Sequence, residues 1–166
     1  MSRRGHDAFL PHAEGGFQTQ SGKCEFPLDE YAPPIESRRG DEALLRKYPL
    51  ECISPKNDDS MNSTFGNRTD RDRETAQLFL HRDDAAARGI SSGDMVRMFN
   101  DRGSLRLTAH VDGLVRQGVV SAPSSRWSKL SPDKRNVNAL VPDRLTDAGG
   151  GPVFYSCLVQ VEKCGD

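Results

Sequence analysis

The chain has 166 residues, 35% hydrophobic and 28% charged, and 24 acidic side chains against 23 lysines and arginines leave a formal net charge of −1. That length supports one domain with a real hydrophobic core and is too short for a multidomain redox enzyme. The interleaved charges lack the basic block that nucleic acid or an anionic membrane surface calls for, and no apolar run approaches the about 18 to 20 residues that cross a bilayer.

Residues 1–47 are poor in aliphatic side chains and are interrupted by Gly15-Gly16, Pro33-Pro34 and Arg38-Arg39-Gly40. They are expected to form a poorly ordered extension, or a linker from a preceding domain, with only Phe17 to Phe26 hinting at local order. The compact domain is expected over residues 48–166. Its strands read as short β-branched and aliphatic runs bounded by turn formers: Leu50 to Ser54, Ala76 to His81, Asp94 to Asn100, Ser104 to Val111, Gly118 to Ala122 and Val153 to Val161. Between the second and third, Asp83-Asp84-Ala85-Ala86-Ala87-Arg88-Gly89 has acidic residues at its start and glycine at its end, the pattern of a one- to two-turn helix. Asp101-Arg102-Gly103 predicts a hairpin loop, with the glycine taking the positive-φ position.

Six short strands with one or two short helices do not make a doubly wound sheet, which needs alternating long helices. A small closed or nearly closed barrel fits, because closure removes exposed sheet edges. Its interior is expected to hold Ile53, Leu78, Leu80, Ala86, Val96, Met98, Leu105, Leu107, Val111, Val119, Leu140, Leu158 and Val161.

Cys24, Cys52, Cys157 and Cys164 include no C-x-x-C pair, so no zinc or iron–sulfur site is legible and the thiols read as reduced core or surface groups. The four histidines, His6, His12, His81 and His110, are scattered and nominate neither a catalytic residue nor a metal site. The apolar N-terminal core of an export signal is missing, which leads to the expectation of a soluble, cytoplasmic chain; export of a parent protein would need a signal not contained in this sequence.

Chemistry concentrates in two polar stretches. The run Tyr48-Pro49-Leu50-Glu51-Cys52-Ile53-Ser54-Pro55-Lys56 reads as a buried strand halted at Ser-Pro, and Asn62-Ser63-Thr64-Phe65-Gly66-Asn67 follows it. Far downstream, Asn136-Val137-Asn138-Ala139-Leu140 and Asp147-Ala148-Gly149-Gly150-Gly151 again gather amides and bare backbone N–H groups. Such loops suit a polar, phosphate-bearing ligand held at a site assembled from distant parts of the chain.

These motifs occur in order with Gly16-Phe17-Gln18-Thr19-Gln20-Ser21-Gly22-Lys23-Cys24-Glu25-Phe26, Gly93-Asp94-Met95-Val96, Asn100-Asp101-Arg102-Gly103, Gly118-Val119-Val120, Trp127 and Leu145-Thr146-Asp147. Together they resemble the C-terminal, molybdopterin-dinucleotide-binding domain of the molybdenum and tungsten oxidoreductases, the dimethyl sulfoxide reductase and formate dehydrogenase superfamily. The resemblance covers about residues 15–163. It implies a mainly β, double-psi β-barrel similar in topology to aspartate decarboxylase, and it implies molybdopterin guanine dinucleotide as the cofactor. It places the metal in domains this sequence does not contain, so the chain is expected to act as the C-terminal domain or small subunit of an oxidoreductase. The implied partner is the remaining domains or catalytic subunit, with no turnover by the chain alone.

For cofactor contact the resemblance and the residue chemistry nominate Ser54, Pro55, Lys56, Ser63, Thr64, Asn67, Trp127, Asn136, Asn138 and Asp147, with no catalytic residue and no metal ligand. Lys56 offers a mobile positive charge, Ser63, Thr64 and Asn67 neutral hydrogen bonds, Asn138 a donor–acceptor edge for a pterin or guanine lactam, and Asp147 an acceptor for paired ring N–H groups. Departures from the family pattern are Asn57-Asp58-Asp59, where two carboxylates oppose a pyrophosphate unless they face solvent or pair with Arg68 or Arg71, and Ser125-Arg126 in place of His-Gly ahead of Trp127. Two other readings start from the same barrel. Gly103-Ser104 is the dipeptide type that a self-cleaving decarboxylase cuts, and a protein-interaction module would carry an exposed apolar patch instead of a nucleotide site.

Overall fold

The computed structural model describes residues 11–13, 15–26, 30–57, 62, 64–124, 126–147 and 149–165. The chain divides into two units, Met1–Ala32 and Pro33–Asp166. In the first, a short reversal is closed by the Phe17 N–H donating to the Gly22 carbonyl (2.9 Å) and by the Thr19 hydroxyl donating to the Lys23 carbonyl (2.7 Å). The second unit begins at Pro33, ahead of the Tyr48 start expected from composition, because Glu36 and Ser37 are buried in it and a helix, α1 (Glu42–Lys47), precedes the first strand. Asp41 starts α1 by accepting from the Leu44 N–H (2.9 Å), and Arg46 and Lys47 sit at its end, where cations suit the carbonyl-rich terminus.

Pro33–Asp166 is built on a closed barrel of six strands: β1 (Leu50–Ile53), β2 (Gln77–His81), β3 (Met95–Asn100), β4 (Gly103–Asp112), β5 (Val119–Ser121) and β6 (Leu158–Lys163). Around the barrel the order is β1-β5-β2-β4-β3-β6, with β6 closing onto β1. The pairs β1/β5 and β2/β4 run parallel and the others antiparallel, which gives the double-psi barrel that the resemblance implies. Besides α1, the short helices α2 (Thr69–Thr75) and α3 (Arg82–Ala86) make three among the described residues, where one or two were expected. In α3 the His81 ring accepts from the Asp83 N–H, and Gly89 at φ +64° terminates the turn as the Ile90 N–H reaches the Ala85 carbonyl (3.0 Å). No helix among the described residues is long and apolar enough to cross a membrane.

Strand pleating decides what faces inward. Along β4, Leu105, Leu107 and Ala109 are buried while Arg106 and His110 are exposed, the two-residue period of a strand with one core face. Leu78, Leu80, Val96, Met98 and Val120 have no exposed surface, each a burial of about 1.5 to 3 kcal/mol. Four residues expected inside are not. β1 turns Leu50 and Cys52 to the core and leaves Ile53 half-buried; Val119 and Val111 are likewise half-buried; and Ala85, not Ala86, is the buried alanine of α3. The last strand starts at Leu158 rather than Val153, since Phe154 and Tyr155 stand exposed in a loop before it.

The hairpin forms between β3 and β4, but Gly103 does not take a positive φ. It pairs with Asn100 as the first residue of β4, and its missing side chain serves a close approach: a Cβ there would stand 3.0 Å from the Ala139 carbonyl oxygen. Ser104 continues the same ladder opposite Phe99, so the Gly103-Ser104 bond lies inside a regular strand.

Candidate functional site

Parallel pairing of β1 with β5 sets where the site lies. Glu51 opposes Val119 and Ile53 opposes Ser121, so the segments that follow both strands leave the barrel at the same end. The alignment continues past the strands, with the Ala122 N–H donating to the Ile53 carbonyl (3.0 Å) and the Ser124 N–H to the Pro55 carbonyl (2.9 Å). Because β2 is antiparallel to β5, its first residues and the end of α2 reach the same rim.

Two neighbouring clefts open there. One, about 370 Å³, is lined by Pro55, Lys56, Asn57, Glu74, Gln77, Phe79, Ser121 and Pro123. The other, about 420 Å³, is lined by Asn62, Ser124, Arg126, Trp127, Ser128, Asn136, Val137 and Asn138. Consecutive residues Pro123 and Ser124 join their walls. In the second cleft Asn62, of the first polar segment, shares one wall with Asn136 and Asn138 of the segment some 75 positions downstream.

Local structure explains how the downstream segment presents its amides. Val137 to Ala139 form a 3-10 turn, in which positions three apart lie on one side, so Val137 and Leu140 anchor into the core while Asn138 stays exposed. The Asn136 carboxamide is committed to building this turn: its Oδ1 accepts from the Asn138 N–H (3.1 Å) and its Nδ2 donates to the Ser128 hydroxyl (3.3 Å). The Asn138 side chain makes no hydrogen bond with the described residues, and Asn138 lines the cleft.

Trp127 is half-buried, with the Lys129 ammonium 4.0 Å from its ring centroid. The turn containing Gly66 packs against it: a Cβ on Gly66 would stand 2.5 Å from the indole Cδ1 and closer still to Nε1. Arg126 was not among the residues nominated from sequence. Its guanidinium lies in the wall of the second cleft, with Nε donating to Asp72 Oδ1 of α2 (2.9 Å) and Nη2 to the Leu130 carbonyl (3.3 Å). Arg126, Lys129, Lys134 and Arg135 outnumber the single acid of that stretch, Asp133, which is itself paired with Arg106 (2.7 Å).

The other nominated residues fall as follows. Ser54 is buried at the end of β1, and Pro55 and Lys56 line the first cleft. Thr64 and Asn67 are exposed and line neither cleft. Asp147 lies in an exposed reversal, closed by the Thr146 N–H donating to the Gly151 carbonyl (2.8 Å), and lines neither cleft. Ser63, Asp58 and Asp59 lie outside the described residues. Arg68 pairs with Asp70 and Arg71 with Glu74. Among the described residues no three His, Cys, Asp or Glu side chains gather as a metal site.

The model of the Molydopterin dinucleotide binding domain family matches residues 50–158, the stretch from the first strand to the start of the last. This chain belongs to that family. It is a molybdopterin dinucleotide-binding domain of the dimethyl sulfoxide reductase type. Among curated proteins it is 36% identical over 160 residues to the probable oxidoreductase YoaE of Bacillus subtilis (strain 168), covering 93% of this chain and 22% of that protein. It is 33% identical over 144 residues to dimethyl sulfoxide reductase DmsA of Escherichia coli (strain K12), covering 82% of this chain and 17% of DmsA. The chain thus spans about a fifth of the length of these relatives. Acetylene hydratase from Pelobacter acetylenicus has the same fold, with a TM-score of 0.75 and 23% identity over 93% of this chain and 25% of that one.

The residues at the rim fit such a cofactor. A dinucleotide has two heterocycles with lactam and amine edges joined through a pyrophosphate, and the two adjoining clefts offer amide groups, an indole, and cations in both walls.

Proposed function

We propose that this chain binds molybdopterin guanine dinucleotide across the two clefts, as the C-terminal domain or small subunit of a molybdenum or tungsten oxidoreductase. Its partner is then the catalytic remainder of that enzyme, which holds the metal, and the chain alone has no turnover. One observation carries the reading: Asn62, Trp127, Asn136 and Asn138, drawn from three separate stretches of sequence, line a single cleft. Asn138 supplies the donor–acceptor edge for a lactam, Asn136 holds the turn that presents it, and Lys56 places a cation in the adjoining cleft. The bound cofactor supplies the redox-active metal centre; the protein's share is to hold its dinucleotide tail.

The test is to titrate the 166-residue chain anaerobically with the released dinucleotide and follow the emission of Trp127, its only tryptophan. Saturable binding is expected. Asn138→Ala and Lys56→Ala are each expected to weaken it about 5- to 10-fold, the worth of one net hydrogen bond, while leaving the melting temperature in place. No binding by the unsubstituted chain at high micromolar dinucleotide, or unchanged affinity in both variants, overturns the assignment.

A further inference from the structure

Arg126 is the only ionisable side chain in the wall of the second cleft among the described residues, and its setting is unusual for a cation beside an open cleft. Its side chain is 9% exposed, so desolvation makes its charge costly unless an anion answers it. One answer is Asp72, whose Oδ1 accepts from Nε at 2.9 Å, yet that carboxylate keeps 26% of its own exposure. A second is the Leu130 carbonyl, a longer contact to Nη2 at 3.3 Å. Two of the five guanidinium N–H donors are used in this way. The remaining donors belong to a planar fork beside neutral amides and hydroxyls, in a cleft of about 420 Å³. A fork of that kind matches the paired oxygens of a phosphate group better than any neutral ligand.

We propose that Arg126 is the cation that recognises the diphosphate of the bound dinucleotide, and that Asp72 is a positioning residue that aims the guanidinium and competes with the ligand for its charge. This rests on the reading of the cleft given above. Asp72 lies in the first turn of α2, where its backbone carbonyl accepts from the Thr75 hydroxyl (3.2 Å), so the helix holds the backbone from which the carboxylate reaches Arg126. Recognition and restraint therefore have opposite signs: removing the arginine weakens anion binding, and removing only the charge of the aspartate strengthens it.

The experiment measures dinucleotide affinity by Trp127 emission at several salt concentrations for the unsubstituted chain and for Arg126→Gln, Asp72→Asn and Asn138→Ala, with a thermal melt of each. Arg126→Gln is expected to lose about tenfold in affinity and to flatten the salt dependence, since a charged contact is screened and a neutral one is not. Asp72→Asn, which keeps an oxygen to accept from Nε, is expected to bind about 3- to 10-fold more tightly. Asn138→Ala is expected to bind more weakly with the salt dependence unchanged. If Arg126→Gln does not fold, Arg126→Lys takes its place, and the sign of the Asp72→Asn effect decides by itself. Weakening in Asp72→Asn, or full retention of affinity and salt dependence in the arginine variant while Asn138→Ala still weakens, overturns the inference and leaves the cleft assignment standing. No binding by the unsubstituted chain removes both.

Discussion

Among the arginines that meet a carboxylate, Arg102 and Arg126 are used in different ways. Arg102, in the β3–β4 turn, donates through Nη1 and Nη2 to both oxygens of Glu36 (2.8 and 2.7 Å) and through Nε to the Leu140 carbonyl (2.7 Å). Glu36 is 7% exposed and also accepts from the Leu158 N–H (3.2 Å), while Asn100 donates to the Leu140 and Leu158 carbonyls. That corner is closed on itself. Arg126 has one carboxylate contact and a cleft beside it. A bidentate pair with every group answered ties three parts of the barrel together, whereas a singly bonded pair leaves donors to present.

The most severe way to break this contrast is Glu36→Ala, which strands Arg102 and frees the Leu158 N–H. A loss of about 3 kcal/mol is expected in urea unfolding, the low end for a broken buried pair because Arg102 keeps a third of its surface in water. The comparable cut at the rim, Asp72→Asn, is expected to cost about 1 kcal/mol or less, and equal losses in the two variants would erase the distinction. Next is Gly66→Ala, whose methyl group would collide with the Trp127 indole; about 1 to 3 kcal/mol and a shift in tryptophan emission are expected, and unchanged emission would show the contact to be slack.

The smallest effect is a pH dependence. Burial pushes the Cys157 thiol up to about 11, and burial likewise raises Cys52. A thiol raised in the folded state contributes stability that is whole below the unfolded value and is lost as pH rises toward the folded one. Stability is therefore expected to decline from about pH 9 upward in denaturant titrations. In the same range exposed Cys24 should react with an alkylating reagent well before Cys52 and Cys157, and simultaneous labelling would contradict their burial.

The barrel was readable because its strands advertise themselves. β4 alternates apolar and polar side chains over ten residues, and the run Asp83 to Gly89 carries both a start and a stop signal. The α2 helix was not, for a physical reason. Thr69-Asp70-Arg71-Asp72-Arg73-Glu74-Thr75 has no apolar stripe, and it is held by polar contacts such as Arg71 to Glu74 (2.7 Å) and the Thr75 hydroxyl to the Arg71 carbonyl (2.9 Å). Missing α2 also hid Arg126, whose burial depends on a partner in that helix. The α1 helix did leave a trace, since Asp41 ahead of Glu42 and basic residues at its end is a cap pattern. Of the nominated site residues, Pro55, Lys56, Trp127, Asn136 and Asn138 reach the clefts because their loops follow strands that pair in parallel. Thr64, Asn67 and Asp147 have equally suitable chemistry but sit in exposed turns that line neither cleft.

The side-by-side departure of β1 and β5 has a kinetic meaning. Their pairing joins residues almost 70 positions apart, a long loop to close before any contact rewards it, so the loops that follow the two strands come side by side only once that pairing forms. On the proposed binding mode, synthesis must pass Asn138 before both walls of the second cleft exist, which would make loading a late event in the life of the polypeptide and the ligand a reporter of completed folding.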